Sequence, residues 1–203
     1  STEVPFGDIS LLQKVVAPGD TVLLLPGEYK NEHYGDGDIW KDEDTLRIWK
    51  WKGAEGKWIT VKPQTPGSVT VKCDSNNAVI LRTCQYVRVS GLKVIGEVEN
   101  IPLEEAKAHQ FIYKDKAGDI QYRVPQGSTD EEIAAMKGLK KNIKALRPPH
   151  YDTKGILAHS CKHVEILDNE VGFMPGTGMR VQGGDRISVL RNVVHDNSRR
   201  SSA

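Results

Sequence analysis

The sequence predicts an all-β protein, a right-handed parallel β-helix, and three observations lead there. The first is a restatement: GILAHSCKHVEILDNEV, residues 155 to 171, returns as GMRVQGGDRISVLRNVV at 178 to 194. Gly155 and Gly178, Ile156 and Met179, Val164 and Ile187, Ile166 and Val189, Asn169 and Asn192, and Val171 and Val194 each stand 23 residues apart. A period in the low twenties belongs to stacked architectures, leucine-rich horseshoes or β-solenoids, whose units bury apolar surface only against their neighbours. The second is alternation. Val87 and Val89, Val164 and Ile166, and Ile187 and Val189 keep the two-residue period of strands, β-branched side chains dominate, and no repeat carries a helical stripe, which selects the solenoid. The third is the recurring asparagine: at a sharp bend an inward Asn bonds the amides of the coils above and below it. Each coil therefore reads as three short strands separated by bends.

Taken in order, the chain begins with a short helix pattern, Ile9, Leu12, Val15 and Val16 on one side, closed by Pro18 and Gly19. Such a helix caps the open end of a solenoid core. A strand over residues 21–25 follows, then a turn at Pro26 and Gly27, then a polar and aromatic excursion over residues 31–58. That excursion contributes Tyr34, Trp40, Trp49, Trp51 and Trp58, which suit either stacking on sugar rings or packing as core and lid. A further coil lies in AVILRTCQYVRVSGLKV, residues 78 to 94: Val79, Val87, Val89 and Val94 precede Ile156, Val164, Ile166 and Val171 by 77, one period of 23 if 54 residues are inserted. Between Glu97 and Lys154 the coil pattern vanishes, so 97–154 reads as an inserted loop. A helix is expected within it over about 129–146, opened by the Ser128 and Glu131 capping box, striped by Ile133, Met136, Lys140, Ile143 and Leu146, and stopped by Pro148 and Pro149. Its stripe is expected to dock on the solenoid. Residues 1–203 are expected to be a single β-helix domain. Because Ser201 falls in phase with Gly178, they are also expected to be an N-terminal portion, completed by further coils of the same gene product or by a companion chain.

Composition narrows the function classes. A formal net charge of +1 gives no support for a nucleic-acid partner. No apolar run approaches the length that crosses a bilayer, so no membrane partner is expected. The first residues, STEVPFGD, are not a signal-peptide pattern. Three cysteines do not make a disulfide framework. Cys84 and Cys161 share the offset of 77, which places them at equivalent points of neighbouring coils, read here as a packed stack of free thiols in preference to a bridge.

The run APGDTVLLLPGEY, Ala17 to Tyr29, resembles the opening segment of secreted right-handed β-helix proteins of the pectate-lyase-like superfamily, which includes polysaccharide lyases of the alginate lyase and chondroitinase B type. With the coils, the resemblance covers about two thirds of the chain. It implies a secreted or periplasmic protein whose partner is a polysaccharide or oligosaccharide, bound in a groove on the first-strand face. The catalytic Lys and Arg pair of those lyases and their acidic calcium cluster find no matched positions in these coils.

Alternation names the residues of that face. Ile156 and Ala158 point inward with Met179 and Val181, so Leu157 and His159 point outward with Arg180 and Gln182, and Arg82 takes the place of His159 one coil earlier. The strip is basic and hydrogen-bonding, which suits a carboxylated sugar. Cleaving a uronate polymer by β-elimination needs a base for the proton on C5 and a cation that neutralises the adjacent carboxylate. His159 is the expected base and Arg180 the expected carboxylate clamp. Arg82 and Gln182 support them, and Lys154, His150 and Tyr151 complete the site from the end of the insert. His195, Arg199 and Arg200 are further substrate-binding candidates. No cofactor is required if arginine neutralises the carboxylate; Ca²⁺ is the alternative cation. Two other functions stay open. A glycoside hydrolase on this scaffold would recruit carboxylates such as Asp152, Asp168, Glu170 and Asp196 from the bends, and a non-catalytic binding or adhesion solenoid would need only the aromatics and the ladder.

Overall fold

The computed structural model describes residues 9–108, 112–114, 120–122, 144–146 and 148–200. Three parallel sheets form the sides of a β-helix, and the chain passes through them in turn. The first contains Asp44–Trp49, Asn77–Arg82, Lys154–His159 and Met179–Gln182; the second Thr21–Leu24, Ile59–Pro63, Gln85–Ser90, Lys162–Leu167 and Asp185–Leu190; the third Gly27–Tyr29, Val69–Val71, Lys93–Ile95, Glu170–Gly172 and Val193–His195. The register is the one the sequence repeat predicts. Val79, Ile156 and Met179 are paired across three rungs of the first sheet, Val87, Val164 and Ile187 across the second, and Val94, Val171 and Val194 across the third.

These side chains form one core. Val79, Leu81, Val87, Val89, Val94, Ile156, Val164, Ile166 and Val171 are all buried, and each contributes about 1.5–3 kcal/mol by leaving water. The asparagine ladder closes one bend. Asn169 accepts from Leu92 N at 3.0 Å, and its own N–H and Nδ2 donate to Asn192 Oδ1, both at 2.9 Å. Asn192 Nδ2 in turn donates to Ile166 O at 2.8 Å, so the buried amides are satisfied rung to rung.

The bend between the first and second sheets repeats a backbone state. Lys50, Thr83, Ser160 and Gly183 have φ of 59°, 56°, 54° and 59°, in the left-handed region that costs a non-glycine residue about 1–2 kcal/mol. Rung-to-rung hydrogen bonds hold it: Lys50 N donates to Arg82 O at 2.9 Å, Thr83 N to His159 O at 3.0 Å, and Ser160 N to Gln182 O at 2.8 Å. At the start of the first sheet a different constraint operates. A Cβ on Gly155 would meet Gly178 O and a methyl of Val171, which leaves glycine as the only fit.

The N-terminal cap is a 3-10 helix, Ile9–Lys14, with Ile9 buried and Leu12 and Val16 packed on the core. Val15, expected on the same side, is 61% exposed instead, because the helix ends at Lys14 and the chain turns away before it. Where the chain leaves the third sheet, a short α-helix, Leu103–Ala108, packs with Ile101, Ala106, Tyr151 and Ile39 in a second small core. Beyond it Ile112–Lys114, Ile120–Tyr122 and Lys144–Leu146 form a small antiparallel sheet. The helix expected over 129–146 lies outside the described residues except at its end, where 144–146 are strand. On the last rung Val181, Val189, Leu190, Val193 and Val194 stand 43–60% exposed. Among the described residues no helix is long and apolar enough to cross a membrane.

Candidate functional site

Alternation along the first sheet turns every second side chain outward, and the pairing aligns those side chains along the helix axis. Two outward rows result: Arg47, Ile80, Leu157 and Arg180 in mid-sheet, and Trp49, Arg82, His159 and Gln182 beside the left-handed bend. Ile80 and Leu157 are only 6% and 9% exposed, so the middle of this face is covered. The bend-side row is open. Trp49 is 39% exposed, Arg82 and Gln182 are exposed, and His159 is half-buried.

With rungs about 4.8 Å apart, the four side chains line up over about 14 Å. His159 Nδ1 lies 3.2 Å from Ser160 Oγ. When Nδ1–H donates to that hydroxyl, Nε2 keeps its lone pair and can take a proton. Arg180 stands one rung over and two residues back along its strand, about 7 Å from the row. Lys50 Nζ lies 4.7 Å from the Trp49 ring centroid and adds a cation at that end. Trp49 was visible in the sequence only as one of several aromatics. Its place in the row depends on the pairing of Asp44–Trp49 with Asn77–Arg82, an offset of 33 that follows no period. The row offers no carboxylate, so it does not suit Ca²⁺, which takes six to eight oxygen ligands.

The other expected site residues collect elsewhere. Lys154 begins the strand that His159 ends, about 16 Å away. Its Nζ is held by Asp152 Oδ2 and Asp152 O, both at 3.1 Å. His150 Nδ1 bonds Asp74 O at 2.8 Å, and its ring meets Tyr151 edge-on at 5.1 Å. Tyr151 is fully buried and donates its hydroxyl to Glu105; burial and then this carboxylate push its pKa up. His195 belongs to the third sheet, between Glu170 at 3.6 Å and Asp196 at 3.1 Å, with its ring edge-on to Phe173 at 5.2 Å. Arg199 pairs with Glu99 and with Asp196, the latter at 2.6 Å, and Arg200 Nε donates to Ile101 O at 2.6 Å. The structure therefore joins Arg82, His159 and Gln182, with Arg180 close by. It separates them from Lys154, His150 and Tyr151 by the width of the sheet.

That far edge is acidic. A cleft of about 280 Å³ is lined by Asp38, Asp74, Glu97, Glu105 and His150 over Ile39 and Ile101. Tyr34 donates its hydroxyl to Glu97, and burial first and then Glu97 raise its pKa. Just before the first strand, burial works against ionisation of Glu43, but hydrogen bonds from Asn31 and His33 outweigh it and hold the carboxyl at about 2. Glu32, His33 and Glu43 bring three ligand atoms within 4.8 Å of one another, the described residues best disposed toward a divalent metal.

The site thus sits on one side of a three-sided parallel β-helix. Comparison with solved structures finds similarity to the PL6 family alginate lyase AlyGC, and to a mutant of the same enzyme, at 18% identity with TM-scores of 0.34 and 0.33. Each alignment covers 85% of this chain and 19% of the lyase. No protein-family profile matches, and no curated protein does. The fold stands on the strand pairing itself, and the reaction does not follow from so distant a likeness.

Proposed function

We propose that this chain is part of a carbohydrate-active β-helix that binds an acidic, uronate-containing polysaccharide along the first sheet and cleaves it by β-elimination. The observation that supports it is the open row Trp49, Arg82, His159 and Gln182 with Arg180 beside it: cations, a stacking surface and a titratable base on one axis-parallel line. A uronate carboxylate pairs with Arg82 or Arg180 by charge-assisted hydrogen bonds, which makes the adjacent C5 proton more acidic. His159 Nε2 removes that proton, and electrons from the C–H bond form the C4–C5 double bond as the C4 oxygen departs. Trp49 offers its ring to a sugar face and Gln182 its amide to hydroxyls. A polymer of this kind does not cross membranes, so the protein acts outside the cell or in the periplasm.

The acidic cleft favours a second reading. A glycoside hydrolase needs a pair of carboxylates about 5–10 Å apart, and Asp38, Asp74, Glu97 and Glu105 gather there and not along the row. Incubation with alginate, pectate and glycosaminoglycans separates the possibilities. Ultraviolet absorbance from an unsaturated product supports elimination. New reducing ends without that absorbance overturn it in favour of hydrolysis, and retention on the polymer without turnover overturns it in favour of a binding module.

A further inference from the structure

We infer that Cys84 and Cys161 are a cross-rung disulfide site, open in the thiol form described here and closed when the protein folds in the presence of a disulfide oxidant. The two residues follow Arg82 and His159, which are paired in register, by the same two positions. They therefore sit one above the other where neighbouring rungs are about 4.8 Å apart, inside the 4.4–6.8 Å between Cα atoms that a disulfide spans. Their sulfurs are in one hydrogen-bonded group. Cys84 N–H donates to Cys161 Sγ at 3.4 Å and the Cys84 thiol to Ile48 O at 3.1 Å, while Cys161 Sγ lies 3.4 Å from both Leu81 O and His159 O. Both are free and buried.

Cys73 is free and buried as well, but it precedes the strand Asn77–Arg82 that Cys84 follows, so about 20 Å of extended chain lies between them. Either thiol can begin the exchange, and from Cys161 it runs in two steps. The Cys161 thiolate attacks one sulfur of oxidised glutathione and releases one glutathione thiolate, which takes up a proton. Cys84, giving its proton to solvent, then attacks the Cys161 sulfur of the mixed disulfide and releases the second glutathione. Two protein thiols are oxidised and one glutathione disulfide is reduced to two thiols.

The burial of both sulfurs directs the test to folding. The chain is unfolded in guanidinium with reductant and refolded in oxidised glutathione, and its free thiols are counted after denaturing alkylation. Peptide mapping without reduction identifies any bridge. The wild type and Cys73→Ser are expected to yield a Cys84–Cys161 linked peptide and to melt several degrees higher than their reduced forms, because the bridge closes a loop that spans the insert. Cys84→Ala and Cys161→Ala, which keep a small buried group, are expected to yield no intramolecular bridge. Three free thiols after refolding of the wild type, a bridge that uses Cys73, or a linked protein that melts no higher than the reduced one would each overturn the inference.

Discussion

The two edges of the first sheet are the two ends of the same strands and do opposite things with them. At the bend-side edge Trp49, Arg82, His159 and Gln182 present their side chains to solvent while their neighbours' backbones carry the rung-to-rung bonds. At the starting edge Thr153 Oγ1 donates to Ser75 O at 2.7 Å, Asn77 Nδ2 to Asp44 Oδ1 at 2.7 Å, and Lys154 pairs with Asp152. There the polar side chains serve one another. A residue type is therefore a poor guide to its role on a solenoid; which edge it occupies decides whether its side chain faces solvent or bonds to its neighbours.

The largest effect that would break this contrast is catalytic. His159→Ala is expected to lower unsaturated-product formation by about 10²–10⁴-fold with an unchanged melting temperature, the range for loss of a general base. A variant of full activity would remove the bend-side row from the chemistry. At the opposite edge Thr153→Val leaves the buried Ser75 carbonyl without its donor and is expected to cost about 2 kcal/mol in denaturant unfolding, with turnover unaffected. Arg82→Ala is expected to weaken oligouronate binding about tenfold in titration calorimetry, with Arg82→Lys between it and the wild type. A pH-dependent effect belongs to Glu43. Its carboxyl titrates at about 2 in the fold against an ordinary 4.5, so its contribution is complete above pH 4.5 and fades as pH falls toward 2. Glu43→Gln should flatten that part of the curve of melting temperature against pH; an acid limb as steep as the wild type's would mean that other carboxyls set it.

The later rungs were legible because three successive passes share one geometry. Offsets of 23 and 77 reproduce the pairing of Val164 with Ile187 and with Val87. The earlier rungs were not, since their loops differ in length at each bend: Trp49 stands 33 before Arg82, whereas Val71 stands 23 before Val94. Period-based reasoning therefore found Arg82, His159, Arg180 and Gln182 and missed Trp49. Alternation also gave Leu157 its outward direction but not its burial, which depends on what lies across the sheet and not along it. Lys154, His150 and Tyr151 were grouped with the row by nearness in sequence, and a strand of six residues is long enough to part them. The acidic cleft draws on Asp38, Asp74, Glu97 and Glu105 from separate loops with no shared spacing.

The 54-residue excursion leaves no trace in the strand pairing: Leu157 aligns with Ile80 before the excursion and with Arg180 after it in one unbroken register. A corner of this helix accordingly behaves as a socket. Segments of unrelated length can be grafted there, and the neighbouring turns need not be redesigned to receive them. Variation in what such a molecule grips can then be a matter of transplanted loops over a scaffold that keeps its own geometry.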